Sequence, residues 1–252
     1  MLTRTIDRFI YTPYFGSMES PTTITTPRLR LTHITGVESG SIALSDLHCV
    51  WGNEIATKWN IHGSCKTLSE TEERARTILK KAQDYFIVHR KVPGQHLEVA
   101  EGKDAAPSES NYTWEAIGMI NLVRSEKPDL DPLPIPDSKL QRDSQDSDES
   151  AKLPAVQTRS IGYMYREEAW GKGYGMEAAA ALLNHFRQAA SRMDSPTLVY
   201  VEAGVDPSNT GSLRILEKLR FQKVGLNVIA DEKVFLAGEW RQNEYPIYGL
   251  YL

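Results

Sequence analysis

Hydrophobic and polar residues follow two different periods along this chain. Alternation with a period of two, or a short apolar run, predicts strands at 26–34, 95–102, 113–123, 157–165, 197–205, 221–229 and 245–252. A period near 3.6 predicts helices at 38–49, from Leu68 through an apolar stripe that reaches Phe86, at 174–190 and at 210–219. Because strands and helices alternate in the second half of the chain, the pattern indicates a mixed α/β fold.

One long segment has neither period. Residues 125–156 contain five of the 13 prolines, many acidic and serine residues and no aromatic residue. Such a segment buries too little apolar surface to offset its chain entropy, so we predict a disordered insert. It is either a tolerated surface insertion or a phosphorylatable interaction segment. The chain then consists of a flexible tail at 1–23 and one domain at 24–252, which the insert interrupts.

Composition narrows the class of protein. The 252 residues are 40% hydrophobic with a formal net charge of −4, unlike the basic proteins that bind nucleic acid or membrane surfaces. No apolar run approaches the ~20 residues that span a bilayer. Two cysteines, Cys49 and Cys65, supply neither a disulfide framework nor a metal site. We therefore expect a cytoplasmic protein, with the nucleus or an organelle as alternatives, that uses no nucleic acid, membrane or metal.

A glycine-rich stretch carries the strongest chemical signal. AWGKGYGMEAAAALLNHF, at 169–186, places Gly171, Gly173 and Gly175 between a predicted strand and a predicted helix. A helix start offers unpaired N–H groups and a partial positive charge, and glycine lets a phosphate approach them. Lys172 adds a cation. The spacing is neither that of a P-loop nor that of the dinucleotide fingerprint. The stretch is therefore an anion-site candidate of another kind, with an uncharged tight turn as the alternative.

The same stretch resembles the acetyl-CoA-binding core of the GNAT N-acetyltransferase superfamily, in its RimJ/RimL-like branch, where the loop often reads WGKGyatEA. Three further motifs match in order. TPRLRLTHI resembles the opening strand of the family, IGYMY resembles the strand before the loop, and DPSNTGSLRILEKLRF resembles the pattern NxxSxrvLEKlGF. The resemblance extends from about residue 26 to the end of the chain, apart from the insert.

The resemblance implies a GNAT fold, in which helices flank a mixed, mostly antiparallel central sheet, and acetyl-CoA as co-substrate. It implies that the backbone of Met164 and Tyr165 pairs with the pantetheine arm. It assigns the pyrophosphate to backbone amides of the glycine loop, namely those of Lys172, Gly173, Tyr174, Gly175 and Met176. It places Asn209 and Ser212 near the thioester, although Asn209 is also suited to cap the following helix.

The implied reaction is direct attack of a primary amine on the thioester, with a protein N-terminus or a small-molecule amine as acceptor. An amine with a pKa of about 10 must first lose a proton to a base. Ser160 stands where branch relatives often carry glutamate, and Leu216 where many members carry a tyrosine acid. The candidates for the base are Glu115, Tyr163, Tyr165, Glu167, Glu168 and Glu202. We favour Glu115 and Tyr163, because both lie on strands expected to flank the acyl group.

The two departures from the family pattern leave a second hypothesis open. In it, the chain is a catalytically degenerate module that binds acyl-CoA or partner proteins. Under either hypothesis we expect a monomer or a homodimer.

Overall fold

The computed structural model describes residues 21–81, 84–93, 112–126, 128–139, 154–193 and 197–252. Its helices are α1 (Ile42–Trp51), α2 (Leu68–Lys81), α3 (Tyr174–Ala190) and α4 (Thr210–Lys218). Its strands are β1 (Thr23–Thr25), β2 (Leu29–His33), β3 (Tyr85–Pro93), β4 (Tyr112–Arg124), β5 (Ala155–Tyr165), β6 (Thr197–Gly204), β7 (Gln222–Leu236) and β8 (Glu239–Tyr251). Residues 1–20 of the predicted tail and the predicted strand at 95–102 lie outside the described residues.

Within these ranges, eight strands form one sheet in the order β1-β2-β3-β4-β5-β6-β8-β7. β5 and β6 are parallel, and the other neighbouring pairs are antiparallel. α3 connects β5 to β6, since parallel neighbours need a crossover connection. The predicted mixed, mostly antiparallel α/β fold is confirmed. In the part of the chain that is described, no helix is long and apolar enough to cross a membrane.

Each face of the sheet has its own apolar cluster. α3 and α4 pack on one face, against strand residues such as Phe86 and Val201. α1 and α2 pack on the other face through residues such as Leu47 and Trp51. The central strands β3 and β4 are therefore covered on both sides.

The prediction of a helix that continues from Leu68 to Phe86 is wrong. α2 ends at Lys81, and β3 then pairs with β2 and β4. The run Tyr85–Val88 consists of aromatic and β-branched residues, which favour strands. Its last three residues are buried, although successive strand side chains point to opposite faces. A run buried on both faces shows no alternation, so its period alone does not distinguish it from a helix.

Part of the predicted insert follows a defined course along the sheet. The backbone N–H of Asp129 donates to Glu202 Oε2 at 2.9 Å, and the Tyr251 hydroxyl donates to the Leu133 carbonyl at 3.0 Å. β5 begins at Ala155, inside the range predicted to be disordered. Two residues of the predicted insert, Asp129 and Leu133, thus contact the sheet, and the last two residues of its range belong to β5. Residues 127 and 140–153 lie outside the described residues.

Gly249 of β8 offers a test of the sheet packing. A Cβ at this position would lie 1.9 Å from the hydroxyl oxygen and 2.6 Å from Cζ of Tyr200, whose side chain is fully buried. We expect Gly249→Ala to lower the free energy of unfolding by about 2 kcal/mol or more, measured by urea denaturation. Gly36→Ala is the matched control, since nothing lies within 4 Å of its Cβ position. An equal loss in both variants would contradict the close approach at Gly249.

Candidate active site

β5 and β6 pair along only part of their length. Their parallel pairing begins at Ala155 of β5 and ends where Ser160 lies opposite Glu202. β5 continues to Tyr165 in pairing with β4, but among the described residues it has no strand partner on its other side. The two strands therefore diverge after Ser160, and one edge of β5 is open to an added strand.

Alternate residues of β5 direct their backbone groups to opposite sides. The Arg166 N–H donates to a β4 carbonyl at 2.9 Å, so the even-numbered residues of β5 direct their backbone groups to β4. Met164, which we expected to pair with a pantetheine arm, therefore pairs with β4. Tyr163 and Tyr165 face the open side. The Tyr165 carbonyl accepts a hydrogen bond from Trp170 Nε1 at 2.8 Å, which leaves the N–H of Tyr165 for a ligand.

The glycine turn, residues 171–173, leads into α3 with an accessible backbone. Gly171 and Gly173 have φ of 71° and 79°, in the left-handed region that favours glycine. A Cβ on Gly171 would meet nothing within 4 Å, and a Cβ on Gly173 would meet Arg28 Nη2 at 3.5 Å. Gly173 is the N-cap of α3 and provides no side-chain cap. An anion can therefore approach the first N–H groups of the helix.

Glycine is needed at position 175 for a different reason, which is the close packing of α3. A Cβ there would lie 2.9 Å from Ile215 Cδ1 and 3.2 Å from Tyr165 Cε2. The absence of a side chain lets α3 pack closely against β5 and α4. A substitution at Gly175 therefore tests packing as well as ligand binding.

Arg28, just before β2, holds the glycine turn in place. Its Nε donates to Glu177 Oε2 at 2.6 Å, and its Nη1 donates to the Lys172 carbonyl at 3.0 Å. The Thr26 hydroxyl donates to Glu177 Oε1 at 2.6 Å. Burial acts to raise the pKa of Glu177, but the hydrogen bonds from Thr26 and Arg28 outweigh it and lower the pKa. Sequence analysis matched the opening strand motif, which contains Thr26 and Arg28, and the glycine-rich motif, which contains Glu177, but it gave these three side chains no role. The occurrence of both motifs in one chain was the signal that could have suggested the contact.

Asn209, Ser212 and Tyr163 meet beside the open edge of β5. Asn209 Oδ1 accepts the Ser212 N–H at 3.2 Å, so its side chain caps α4. The Tyr163 hydroxyl donates to the Ser212 carbonyl at 3.4 Å. Burial raises the pKa of Tyr163 to about 12, so its hydroxyl stays protonated at neutral pH. Tyr163 is therefore suited to donate a hydrogen bond or a proton, and unsuited to the role of base that we expected for it.

Glu115, the other favoured base, is held by arginines. Its Oε2 accepts from Arg90 Nε at 2.7 Å and lies 2.6 Å from Arg90 Nη2. Its Oε1 lies 3.7 Å from Arg166 Nη1. Glu115 pairs across the sheet with Arg90, beyond the last β4–β5 pair at Gly118, and therefore lies away from the point where β5 and β6 diverge. These contacts favour a structural role for Glu115.

Glu202 occupies the point of divergence. It lies opposite Ser160, the position where relatives often carry glutamate, so the neighbouring strand supplies an acidic side chain at this place. Glu202 is 3% exposed, and its Oε2 accepts the Asp129 N–H at 2.9 Å. Burial raises the pKa of Glu202 to about 7, against the opposing effect of that hydrogen bond. Sequence analysis included Glu202 among the candidates but did not favour it, because the pairing with Ser160 is not visible in the sequence.

The side chain of Glu202 lies on the face of the sheet that α1 and α2 cover. Its chain neighbours Val201 and Ala203 belong to the cluster beneath α3 and α4, so the alternation places Glu202 on the opposite face. Among the described residues, no group of three or more His, Cys, Asp or Glu side chains could hold a metal ion. The candidate site thus consists of an open strand edge, an anion-accessible helix start, a protonated tyrosine and a buried carboxyl group.

Comparison with known proteins gives the site a family. A model described as the acetyltransferase (GNAT) domain matches residues 28–222. The chain is 39% identical over 66 residues to the uncharacterized N-acetyltransferase p20 of Bacillus licheniformis, which is 26% of this chain and 34% of that protein. It is 36% identical over 90 residues to the probable N-acetyltransferase YjcK of Bacillus subtilis, which is 36% of this chain and 45% of that protein. The matches thus span less than half of these relatives.

Solved structures show the same fold at low sequence identity. A GCN5-related N-acetyltransferase from Brucella melitensis superimposes with a TM-score of 0.54 at 13% identity, over 93% of this chain and 80% of that one. The ribosomal L7/L12 alpha-N-protein acetyltransferase RimL, solved with coenzyme A, superimposes with a TM-score of 0.50 at 13% identity, over 91% and 98%. The family match includes β2, the glycine turn and α4, and it covers well over half of the chain. The expected membership is confirmed: this chain belongs to the GNAT acetyltransferase family.

Proposed function

We propose that this protein transfers the acetyl group of acetyl-CoA to a primary amine by direct attack. The observation that carries the proposal is the divergence of β5 and β6 beside an uncapped, glycine-lined start of α3. An open strand edge suits the amides of a pantetheine arm. A bare helix start suits the pyrophosphate of the same molecule. The two features are adjacent, as one elongated ligand requires.

The residues present fit such a ligand. The accessible Cβ positions of Gly171 and Gly173 leave room for a pyrophosphate at the N–H groups that begin α3. These N–H groups belong to Tyr174, Gly175 and Met176. Lys172 adds a positive charge beside them. The Tyr163 and Tyr165 backbones are placed to pair with the pantetheine amides, and acetyl-CoA would supply the acetyl group as a thioester.

Glu202 is the residue that we propose as proton acceptor. An ammonium group with a pKa of about 10 must lose a proton before its nitrogen can attack a carbonyl carbon. A carboxyl group with a pKa of about 7 is largely ionised in slightly alkaline solution and takes up a proton readily. Glu202 lies beside Ser160, where the strands diverge. This position allows Oε1 to take the proton from the ammonium group directly or through one water.

Tyr163 is the residue that we propose as donor. Its neutral hydroxyl lies beside the open edge of β5 and donates to the Ser212 carbonyl. Redirected by a bound ligand, the same O–H can stabilise a leaving thiolate. Ser212 and Asn209 then act through the start of α4, which they hold in place.

The charges around Tyr245 support a cationic amine as acceptor. Burial raises the pKa of the Tyr245 hydroxyl, and the nearby carboxylates of Asp129, Glu202 and Glu232 raise it further. Their combined negative potential attracts an ammonium group. A peptide N-terminus and a small-molecule amine both carry this group, so the acceptor class includes both.

Acetyl-CoA titration by calorimetry, followed by a thiol-release assay with peptides and small amines, tests the proposal. Saturable binding together with amine-dependent thiol release would support transfer. Binding without release for any amine would favour the degenerate acyl-CoA-binding module, which buried Leu216 supports because it provides no hydroxyl at the family's acid position. Absence of acetyl-CoA binding would overturn both.

Loss of the Arg28 anchor should loosen the glycine turn. Arg28→Met removes the hydrogen bonds to Glu177 and to the Lys172 carbonyl. We expect KM for acetyl-CoA to rise about threefold to tenfold with little change in kcat. Part of the binding free energy of acetyl-CoA is then offset by the entropy cost of ordering the turn. Arg76→Met, which removes an exposed ion pair with Glu72 on α2, is the control and should leave both constants unchanged. A fall in kcat at unchanged KM would contradict the anchoring role.

A further inference from the structure

A short part of the predicted insert lies against the strands next to the point where β5 and β6 diverge. We call residues 128–133 the strap. The strap contacts β6, because the Asp129 N–H donates to Glu202 Oε2 at 2.9 Å. It contacts β8, because the Leu133 carbonyl accepts from the Tyr251 hydroxyl at 3.0 Å. The apolar residues beneath α1 and α2 come instead from β3, β4 and the end of β5, so the strap lies beside the helix layer.

An apolar contact joins the strap to β7 as well. A Cβ on Gly225 would lie 2.9 Å from Leu130 Cδ1, so this leucine lies directly against the strand. Gly225 is paired with Ile247 of β8, which is buried. The strap therefore has a contact on each of β6, β7 and β8. Because Leu130 follows Asp129 in the chain, its packing helps to keep the Asp129 N–H at Glu202.

The hydrogen bond from the strap distinguishes the two oxygens of Glu202. Oε2 accepts the Asp129 N–H, whereas Oε1 accepts no hydrogen bond among the described residues. A glutamate side chain has several rotatable bonds, and fixing them costs entropy. A hydrogen bond to one oxygen selects an orientation of the carboxyl group before any amine arrives, and leaves the other oxygen to take up a proton.

We infer that the strap is a positioning element for the proton acceptor: it holds Glu202 by Oε2 and leaves Oε1 for the amine. The inference rests on the role proposed for Glu202. Asp129 acts through Glu202 and does not itself exchange a proton with the amine. The insert, which the sequence presents as a tolerated insertion or an interaction segment, thereby contributes to the reaction.

The two polar groups of Asp129 have opposite effects on Glu202, which makes the contact measurable. The backbone N–H lowers the pKa of Glu202, and the carboxylate raises it by a smaller amount. Asp129→Pro removes both groups, since proline has no N–H, whereas Asp129→Asn removes only the carboxylate. Asp131→Pro is the matched control. It introduces the same ring and removes the same charge at an exposed residue whose N–H donates no hydrogen bond among the described residues.

A pH titration of the full chain by ¹³C NMR of the glutamate carboxyl groups tests the contact without any need for activity. The resonance of Glu202 is the one that is absent in Glu202→Gln. We expect its pKa to rise in Asp129→Pro, to fall in Asp129→Asn and to stay at the native value in Asp131→Pro. An unchanged or lowered pKa in Asp129→Pro would overturn the inference.

Kinetics test the positioning role itself. On the alkaline plateau of the pH profile, kcat of Asp129→Pro should be about tenfold below the native value, with KM for acetyl-CoA unchanged. Asp131→Pro should keep both constants. Native kcat in Asp129→Pro, or an equal loss in the two proline variants, would overturn the inference. If the native chain acetylates no amine, the proposed function fails, and the NMR titration alone then decides whether the strap holds Glu202.

Discussion

Gly173→Glu is expected to weaken acetyl-CoA binding by about 100-fold or more. The N–H groups that begin α3 have no side-chain cap, and the Cβ position of Gly173 lies beside them, in ordinary contact with Arg28 Nη2 at 3.5 Å. A glutamate there places bulk and a negative charge where the pyrophosphate would lie, and its carboxylate competes for the same N–H groups. The measurement is calorimetric titration with acetyl-CoA at fixed ionic strength.

The control for this variant is Gly40→Glu. Gly40 has φ of 80°, nothing lies within 4 Å of its Cβ position, and it precedes α1 on another part of the chain. Gly40→Glu therefore matches Gly173→Glu in backbone strain and in the charge introduced, but Gly40 lies away from the glycine turn. We expect the free energy of unfolding to fall by a similar amount in both variants. Only Gly173→Glu should lose affinity for acetyl-CoA. Equal affinities of the two variants would contradict the assignment of the glycine turn.

Local patterns predicted the parts of the site that are local in sequence. The strand ending at Tyr165, the glycine turn and α3 are consecutive, so one stretch of sequence shows their order and their chemistry. The GNAT resemblance then indicated that α4 and β2, the strand that follows Arg28, belong to the same family pattern. The backbone pairing of Met164 was assigned wrongly because the direction of its N–H depends on the register with β4.

Distant contacts account for the features that sequence analysis missed. Thr26 and Arg28 bind Glu177, about 150 positions later, and neither motif shows the other as its partner. Glu202 becomes the neighbour of Ser160 only through the parallel pairing of β5 and β6. In both cases the decisive property, an ion pair or a raised pKa, arises from proximity and burial.

Glu202→Gln is expected to lower kcat/KM by about 100-fold or more at pH 8, because general-base contributions are typically of this size. Glutamine retains the shape and can still accept the Asp129 N–H, but it cannot take up a proton.

For the native protein, kcat/KM should rise with pH through about 7, as Glu202 ionises. The variant should lose this limb of the pH profile and keep its affinity for acetyl-CoA. Glu115→Gln is the matched control, and we expect it to keep the limb because Glu115 only pairs with arginines.

Stability gives an independent measure of the same carboxyl group. Its pKa is raised from 4.5 to about 7 on folding, so the folded protein holds this proton more tightly than the unfolded chain. The stabilisation is fully present below pH 4.5 and is lost as pH rises through about 7. Glu202→Gln removes this dependence, so the Tm of the variant should exceed that of the native protein above pH 7 and fall less between pH 5 and pH 8, by calorimetry. A variant that lost activity but kept the native pH dependence of Tm would show that another group titrates near 7, and Glu202 would then not be the base.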